Sequence, residues 1–203
     1  GVQTCALPIL EPGDVVVVKG KTVVPEEKKV YLAFNKPRGI VCTAEKREKN
    51  NVIDYLSYPV RIYPVGRLDK DSEGLLLMTN DGAIVNGIMR ARNRHEKEYQ
   101  VEVNKEITPE FLKKMASGVP ILDTVTRPCR IQKTGERSFT IILTQGLNRQ
   151  IRRMCEALGY RVTKLKRVRI MNIHLKDLKT GEYRPLTEKE LAELKKQIGE
   201  EKR

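Results

Sequence analysis

Three acids stand at alternate positions in one short stretch, Asp69, Asp71 and Glu73, with Arg67 two places ahead of the first and Gly66 and Gly74 on either side. An apolar run, Leu75-Leu76-Leu77-Met78, and a polar turn, Thr79-Asn80-Asp81-Gly82, follow. Charge presented on a loop from a rigid strand is a common setting for chemistry. A carboxylate there can act as a nucleophile or stabilise an electron-poor centre; it can ligate a cation; or it can be an ordinary solvated side chain. For calcium, acids at every second position and a glycine sixth mimic the start of an EF-hand loop. The pattern then breaks, because the twelfth position is Asn80 rather than a bidentate Glu and the second half is an apolar strand.

An ionised carboxylate in a dry pocket needs a cation to keep it charged and oriented. The densest supply runs from Asn148 to Arg169, where eight cations face one acid, Glu156, so that this stretch is a basic surface. With Asn148 as cap, a helix here puts Ile151, Met154, Cys155 and Leu158 on one apolar stripe, ends at Gly159, and leaves Arg149, Arg152 and Arg153 off the stripe. The plain alternative for Arg152 is a helix-face pair with Glu156 at i+4. Lys36 and Arg38 sit in Asn35-Lys36-Pro37-Arg38-Gly39, where proline and glycine force a turn. Tyr99 shares one face of an alternating strand, residues 98–103, with Val101 and Val103. A core tyrosine is the bland reading, and it is compatible with a site role at the edge of a cleft.

The 203 residues suffice for one substantial domain plus an appendage. Lys and Arg number 39 against 26 acids, a net charge of +13, which argues for a polyanionic partner, nucleic acid first and an anionic membrane surface second. No apolar run approaches the roughly 18 residues of a membrane span, and no basic amphipathic stretch carries aromatic anchors. Cys5, Cys42, Cys129 and Cys155 have neither zinc-like nor redox spacing, and His95 and His174 make no ligand pattern with them. Reduced thiols, no structural metal and a cytoplasmic location are expected.

The elements that must position these residues follow in order. Residues 1–9 lack periodicity and a signal-peptide pattern, and are expected to be an extraneous or disordered leader. Residues 10–24 carry two β-rich runs around Lys19-Gly20-Lys21, a hairpin, and residues 25–29 form a linker. A strand at 30–34, a short helix at 51–56, a strand at 61–65 delivering the acidic loop and a strand at 75–79 leaving it come next. Asp81 can cap a helix to Met89, with Ile84, Val85, Ile88 and Met89 on one face. Thr108-Pro109 starts a helix that carries Phe111, Leu112 and Met115 inward and stops at Gly118. Strands fill 120–144, a β-like basic segment fills 160–175, and Thr187 to Glu190 is a capping box before Leu191, Leu194 and Ile198. Hairpin-length links outnumber crossovers, which favours an α+β fold on a largely antiparallel sheet.

Gly-Arg-Leu-Asp followed by Glu-Gly-Leu-Leu-Leu and Thr-Asn-Asp-Gly resembles the catalytic loop of pseudouridine synthases of the RsuA type, the family of ribosomal small-subunit synthase A. The segments Asn-Lys-Pro-Arg-Gly, Lys-Glu-Tyr and Gln-Gly-Leu-Asn-Arg-Gln-Ile-Arg-Arg-Met stand in the family's order, so the resemblance covers about residues 30–200. His-Glu-Lys-Glu-Tyr and Gly-Val-Pro-Ile-Leu resemble most the branch of large-subunit synthase F. The resemblance implies a catalytic domain at 30–203 with a mixed sheet and a central cleft, and makes residues 10–29 the last hairpin and linker of an S4-like RNA-binding domain. It implies isomerisation of uridine in structured RNA, 23S rRNA or tRNA. The N1–C1′ bond breaks, the base rotates and C5 joins C1′; no redox change occurs, so no cofactor is expected.

By the same resemblance, Asp69 is the nucleophile, Arg152 its cation, and Tyr99 the group that stacks on the flipped uracil and assists loss of the C5 proton. Arg67 contacts RNA and helps hold the vacated place in the helix. Lys36 and Arg38, in the family's Asn-Lys-Pro-x-Gly segment, contact phosphates; Arg149, Arg153, Lys164 and Arg167 are expected to do the same because they lie on the basic helix and the strand after it, and Asn148 and Gln150 are expected to contact substrate. A non-catalytic RNA-binding protein of the same fold stands as the alternative, against which the intact Asp69 argues; a glycosidase acting on a free nucleoside would leave the positive charge without a purpose. No long apolar stripe is left over, so a monomer is expected.

Overall fold

The computed structural model describes residues 16–18, 21–23, 28–45, 47–90 and 95–200. The leader expected at 1–9 and most of the linker lie outside the described residues. The hairpin is present: β1 (Val16–Val18) pairs antiparallel with β2 (Lys21–Val23), Val18 opposite Lys21.

The large sheet begins with β3 (Tyr31–Lys36), followed by α1 (Val52–Leu56), whose cap Asn51 accepts from the Asp54 amide. Then come β4 (Tyr63–Val65), β5 (Glu73–Thr79) and α2 (Gly82–Met89) capped by Asp81. The next elements are β6 (Lys97–Val103), α3 (Pro109–Ser117) capped by Thr108, and a small ribbon of β7 (Pro120–Ile121) with β8 (Thr124–Val125). The hairpin β9 (Arg130–Gly135) and β10 (Ser138–Leu143) leads to α4 (Gln150–Ala157) and the long β11 (Val162–Ile170). The chain finishes with β12 (Ile173–His174), β13 (Tyr183–Pro185) and α5 (Glu188–Glu200).

The main strand order is β13-β3-β5-β11-β6-β10-β9, with β12 beside β11 and β4 beside β5. Within this sheet the pairings are antiparallel except β5 with β11, which run parallel over Lys166–Glu73 and Arg167–Gly74. The fold is therefore α+β on a mixed, largely antiparallel sheet, as the element order implied.

β5 explains why its sequence does not alternate. Leu75 and Leu77 face a core with Ala33, Val65, α2 (Ile84, Ile88) and α5 (Leu194, Ile198). Leu76 and Met78 face a second core with Leu32, Phe34, Val52, Leu56, Ile62 and Leu68. A strand covered on both faces must be apolar throughout, and each such side chain contributes about 1.5–3 kcal/mol when fully buried. A third core joins β6 and β10 (Val101, Phe139, Ile141) to α3 (Phe111, Met115) and α4 (Ile151, Met154, Cys155). The capping box is realised: the Glu190 amide donates to Thr187 Oγ1 at 3.1 Å and the Thr187 amide to Glu190 Oε2 at 2.9 Å.

Candidate active site

Residues 66–72 link β4 to β5, and their backbone is clamped from several sides. Gly66 turns the chain at φ +79° and Gly74 returns it at φ +108°, both in the region that favours glycine. Leu68 is buried below the loop, and its amide donates to Cys42 Sγ at 3.4 Å. The Gly39 amide donates to the Lys70 carbonyl at 2.7 Å, tying the Asn-Lys-Pro-Arg-Gly turn to the loop. From β11, Arg167 donates through Nε to the Leu75 carbonyl at 2.7 Å and through Nη1 to the Arg67 carbonyl at 3.4 Å. Asp69 rides on this frame with its side chain 32% exposed, open enough for a reacting atom to approach.

The N-terminal end of α4 lies against the same loop. Arg152 is buried; its Nη2 donates to the Asp71 carbonyl and to Ser72 Oγ, each at 3.0 Å, and its Nη1 is 3.5 Å from Asp71 Oδ2. Burial pulls the Arg152 guanidinium below its ordinary value, and Asp71 opposes that fall. Arg149 forks onto Asp71, Nη1 to Oδ1 and Nη2 to Oδ2, both at 3.0 Å, while its Nη1 is 3.6 Å from Asp69 Oδ2. The fork first, and the charge of Arg152 and Arg149 after it, hold the Asp71 carboxyl below the usual range. Aligned peptide dipoles at a helix N-terminus add to the positive potential around both carboxylates.

Several expected roles change. Lys36 is fully buried and its ammonium donates to the Pro37 and Ile40 carbonyls, each at 2.8 Å, so it anchors the turn and is not available to a phosphate. Arg167 is likewise buried and spent on backbone carbonyls, making it a strut of the loop rather than a phosphate contact. Gln150 is buried; it accepts from the Leu147 amide at 3.0 Å and donates to Gln145 Oε1 at 3.3 Å, which organises the chain before α4 instead of meeting substrate. Asn148 does not cap α4: Arg149 holds that position, at φ 50° and ψ 35°, without a side-chain capping bond. The Asn148 carbonyl and Oδ1 take the Arg153 guanidinium instead, each at 3.1 Å. The cation nearest Asp69 is Arg149, with Arg152 one step behind, and among the described residues Arg152 forms no ion pair with Glu156.

Other expected residues are placed where they can meet a polyanion. Arg38 and Arg67 are exposed, without ion pairs among the described residues, and Lys164 is half exposed with Glu73 at 3.8 Å. Tyr99 is half-buried against two cores and sits in a row that crosses the sheet, Ile141–Tyr99–Arg167–Gly74–Lys36. At roughly 4.8 Å per strand this puts the Tyr99 and Gly74 backbones roughly 10 Å apart. Sequence reasoning assigned no site role to Asp71 or Ser72; the signal available was their place in the Asp69 loop. Lys97 was also passed over; burial, and after it the Arg167 charge, hold it down to about 8. Among the described residues no His, Cys, Asp or Glu group is arranged to hold a metal, and no helix is long and apolar enough to cross a membrane.

Residues 30–157 match the family model of RNA pseudouridylate synthase. This chain belongs to that family. It is 53% identical over 191 residues to the dual-specificity RNA pseudouridine synthase RluF of Escherichia coli, covering 93% of this chain and 66% of that protein. It is 35% identical over 167 residues to the ribosomal small subunit pseudouridine synthase A of Yersinia pestis, covering 80% and 71%. A solved pseudouridylate synthase superposes with a TM-score of 0.77 at 30% identity, over 85% of this chain and 76% of that one. The chain is thus a pseudouridylate synthase family member of the RsuA type, similar to RluF, and it carries the family's fold.

Proposed function

We propose that this chain isomerises uridine to pseudouridine in structured RNA, with 23S rRNA as the first target and tRNA as the second. The observation that carries this reading is Asp69, a half-open carboxylate on a braced loop, with Arg149 at 3.6 Å and Arg152 on the neighbouring Asp71, in a chain of the synthase family. Asp69 attacks or stabilises C1′ as the N1–C1′ bond breaks. The detached uracil rotates within the pocket, and C5 then bonds to C1′ as Asp69 is released. Tyr99 supports the flipped base and helps remove the C5 proton. N1, released from C1′, takes up a proton as C5 loses one, so substrate and product are isomers and the step needs no redox partner or group donor.

Arg38, Arg67, Arg149, Arg153 and Lys164 supply positive charge for the phosphate backbone, and the net charge of +13 suits such a partner. The hairpin β1–β2 reads as the end of an S4-like domain ahead of a catalytic domain at 30–203. We take the protein to be monomeric and cytoplasmic.

The test is to incubate the chain with unmodified 23S rRNA and with unmodified tRNA and to map pseudouridine by carbodiimide labelling. Product in either RNA, lost with Asp69→Asn, supports the reading. No product in either, or retained turnover in the Asn variant, overturns it.

A further inference from the structure

Asp69 and Asp71 compete for the same arginines, and the distances show an unequal division. Both Arg149 terminal nitrogens lie 3.0 Å from Asp71 oxygens, whereas Asp69 has only Nη1, at 3.6 Å. The parallel fork is the strong form of this pairing; 3.6 Å is beyond a hydrogen bond. Arg152 also turns to Asp71, at Oδ2 and the backbone carbonyl. Arg149 reaches the loop from a left-handed backbone at the head of α4, a conformation that a non-glycine residue keeps only where its surroundings over-determine it.

Resting on the functional reading above, we propose that Asp71 is a positioning residue whose carboxylate holds the Arg149 fork away from Asp69. The nucleophile then lies beside positive charge without having its lone pairs engaged by a fork. Neutralising Asp71 frees Arg149, and the next carboxylate within its reach is Asp69. The chemical step then slows while RNA binding, which depends on charges spread over the surface, stays nearly constant.

The test measures RNA Kd and single-turnover rate at saturating RNA for the full chain and for Asp71→Asn, Arg149→Ala, the double variant and Asp71→Glu, each with a thermal melt. We expect Asp71→Asn to slow the step at least fivefold with Kd within threefold of the parent. Removing the fork as well should bring the double variant back to within threefold of Arg149→Ala alone, a coupling that a purely structural aspartate would not show. A rate for Asp71→Asn less than fivefold below the parent overturns the proposal, and so does a double variant outside threefold of Arg149→Ala. If Asp71→Asn does not fold, Asp71→Glu decides, because it keeps a carboxylate for the fork: slowing of less than fivefold supports the role, and a larger loss overturns it. A parent chain without product overturns the functional reading itself, a result distinct from an active parent whose Asp71→Asn variant keeps pace.

Discussion

Gly74 and Arg167 face each other across the parallel pair at the centre of the sheet, so closely that a Cβ on Gly74 would lie 2.7 Å from the Arg167 amide nitrogen and closer still to its carbonyl oxygen. The glycine also has φ +108°. Arg167 in turn reaches across to brace the loop that carries Asp69. The Asp69 loop and the joint between the two halves of the sheet therefore depend on one close backbone approach.

Gly74→Ala is expected to destabilise the chain by roughly 2–6 kcal/mol, the left-handed strain and the overpacking together. Urea denaturation measures it. Gly82→Ala is the control, since a Cβ there meets nothing within 4 Å at the start of α2, and it should be neutral or stabilise slightly. Equal losses at both positions would show that the approach to Arg167 does not matter.

Arg152, Arg153 and Lys164 should separate by what they touch. Arg153 is half-buried and Lys164 half exposed, so alanine at either should weaken binding to all RNAs alike and reduce the log K against log salt slope by roughly one or less. Arg152 is buried against Asp71 and Ser72, so Arg152→Ala should cut the single-turnover rate far more than affinity. Filter binding across a salt series beside the rate assay reads both; identical behaviour at all three positions would remove the special place of Arg152.

Lys97 is a pH-dependent liability. Its folded value, about 8, lies below the ordinary 10.5, so between these the unfolded chain binds more protons and stability rises with pH. Below pH 8 both states carry the charge, and the cost of burying it is present in full. Lys97→Met should raise Tm by several degrees at pH 7, at about 2–4 °C per kcal/mol for a chain of this size, and the gain should shrink toward pH 10. A Tm difference that does not change between pH 7 and pH 10 would contradict this.

Glu190 works in the opposite direction. Arg184 forks onto it at 2.8 and 2.9 Å and the Thr187 amide adds a third bond, and hydrogen bonding to Arg184 first of all holds its carboxyl down to about 2. The stabilisation is present in full above the ordinary 4.5 and is lost as pH falls through about 2. Glu190→Gln should lower Tm at pH 7, and the two proteins should converge as pH falls from 4.5 toward 2. Parallel Tm curves across that range would count against the fork.

How much could be read beforehand depended on how local each signal was. Asp81, Thr108 and the Thr187–Glu190 box cap their helices as read, because a cap is satisfied by amides two or three residues away. The alternation of Phe139, Ile141 and Leu143 marked the buried face of β10 for the same reason. The Asp69 loop was legible because its motif is long and contiguous, and family membership followed from it. Lys36, Gln150 and Arg167 were misread because a basic or polar side chain in a turn or strand looks solvated until its burial is known. Their carbonyl and amide partners, like the shared interest of Arg149 in Asp71 and Asp69, come from loop and strand ends brought together by the fold. Residue order alone was enough for most of the elements, for the caps of α2, α3 and α5, and for the carboxylate expected to do the chemistry; the Asn148 cap and β13 were not among them. Which cations are spent on the backbone, which remain exposed and which carboxylate holds Arg149 came from the folded chain, because burial and the distances across the β5–β11 joint are set by strands far apart in the sequence.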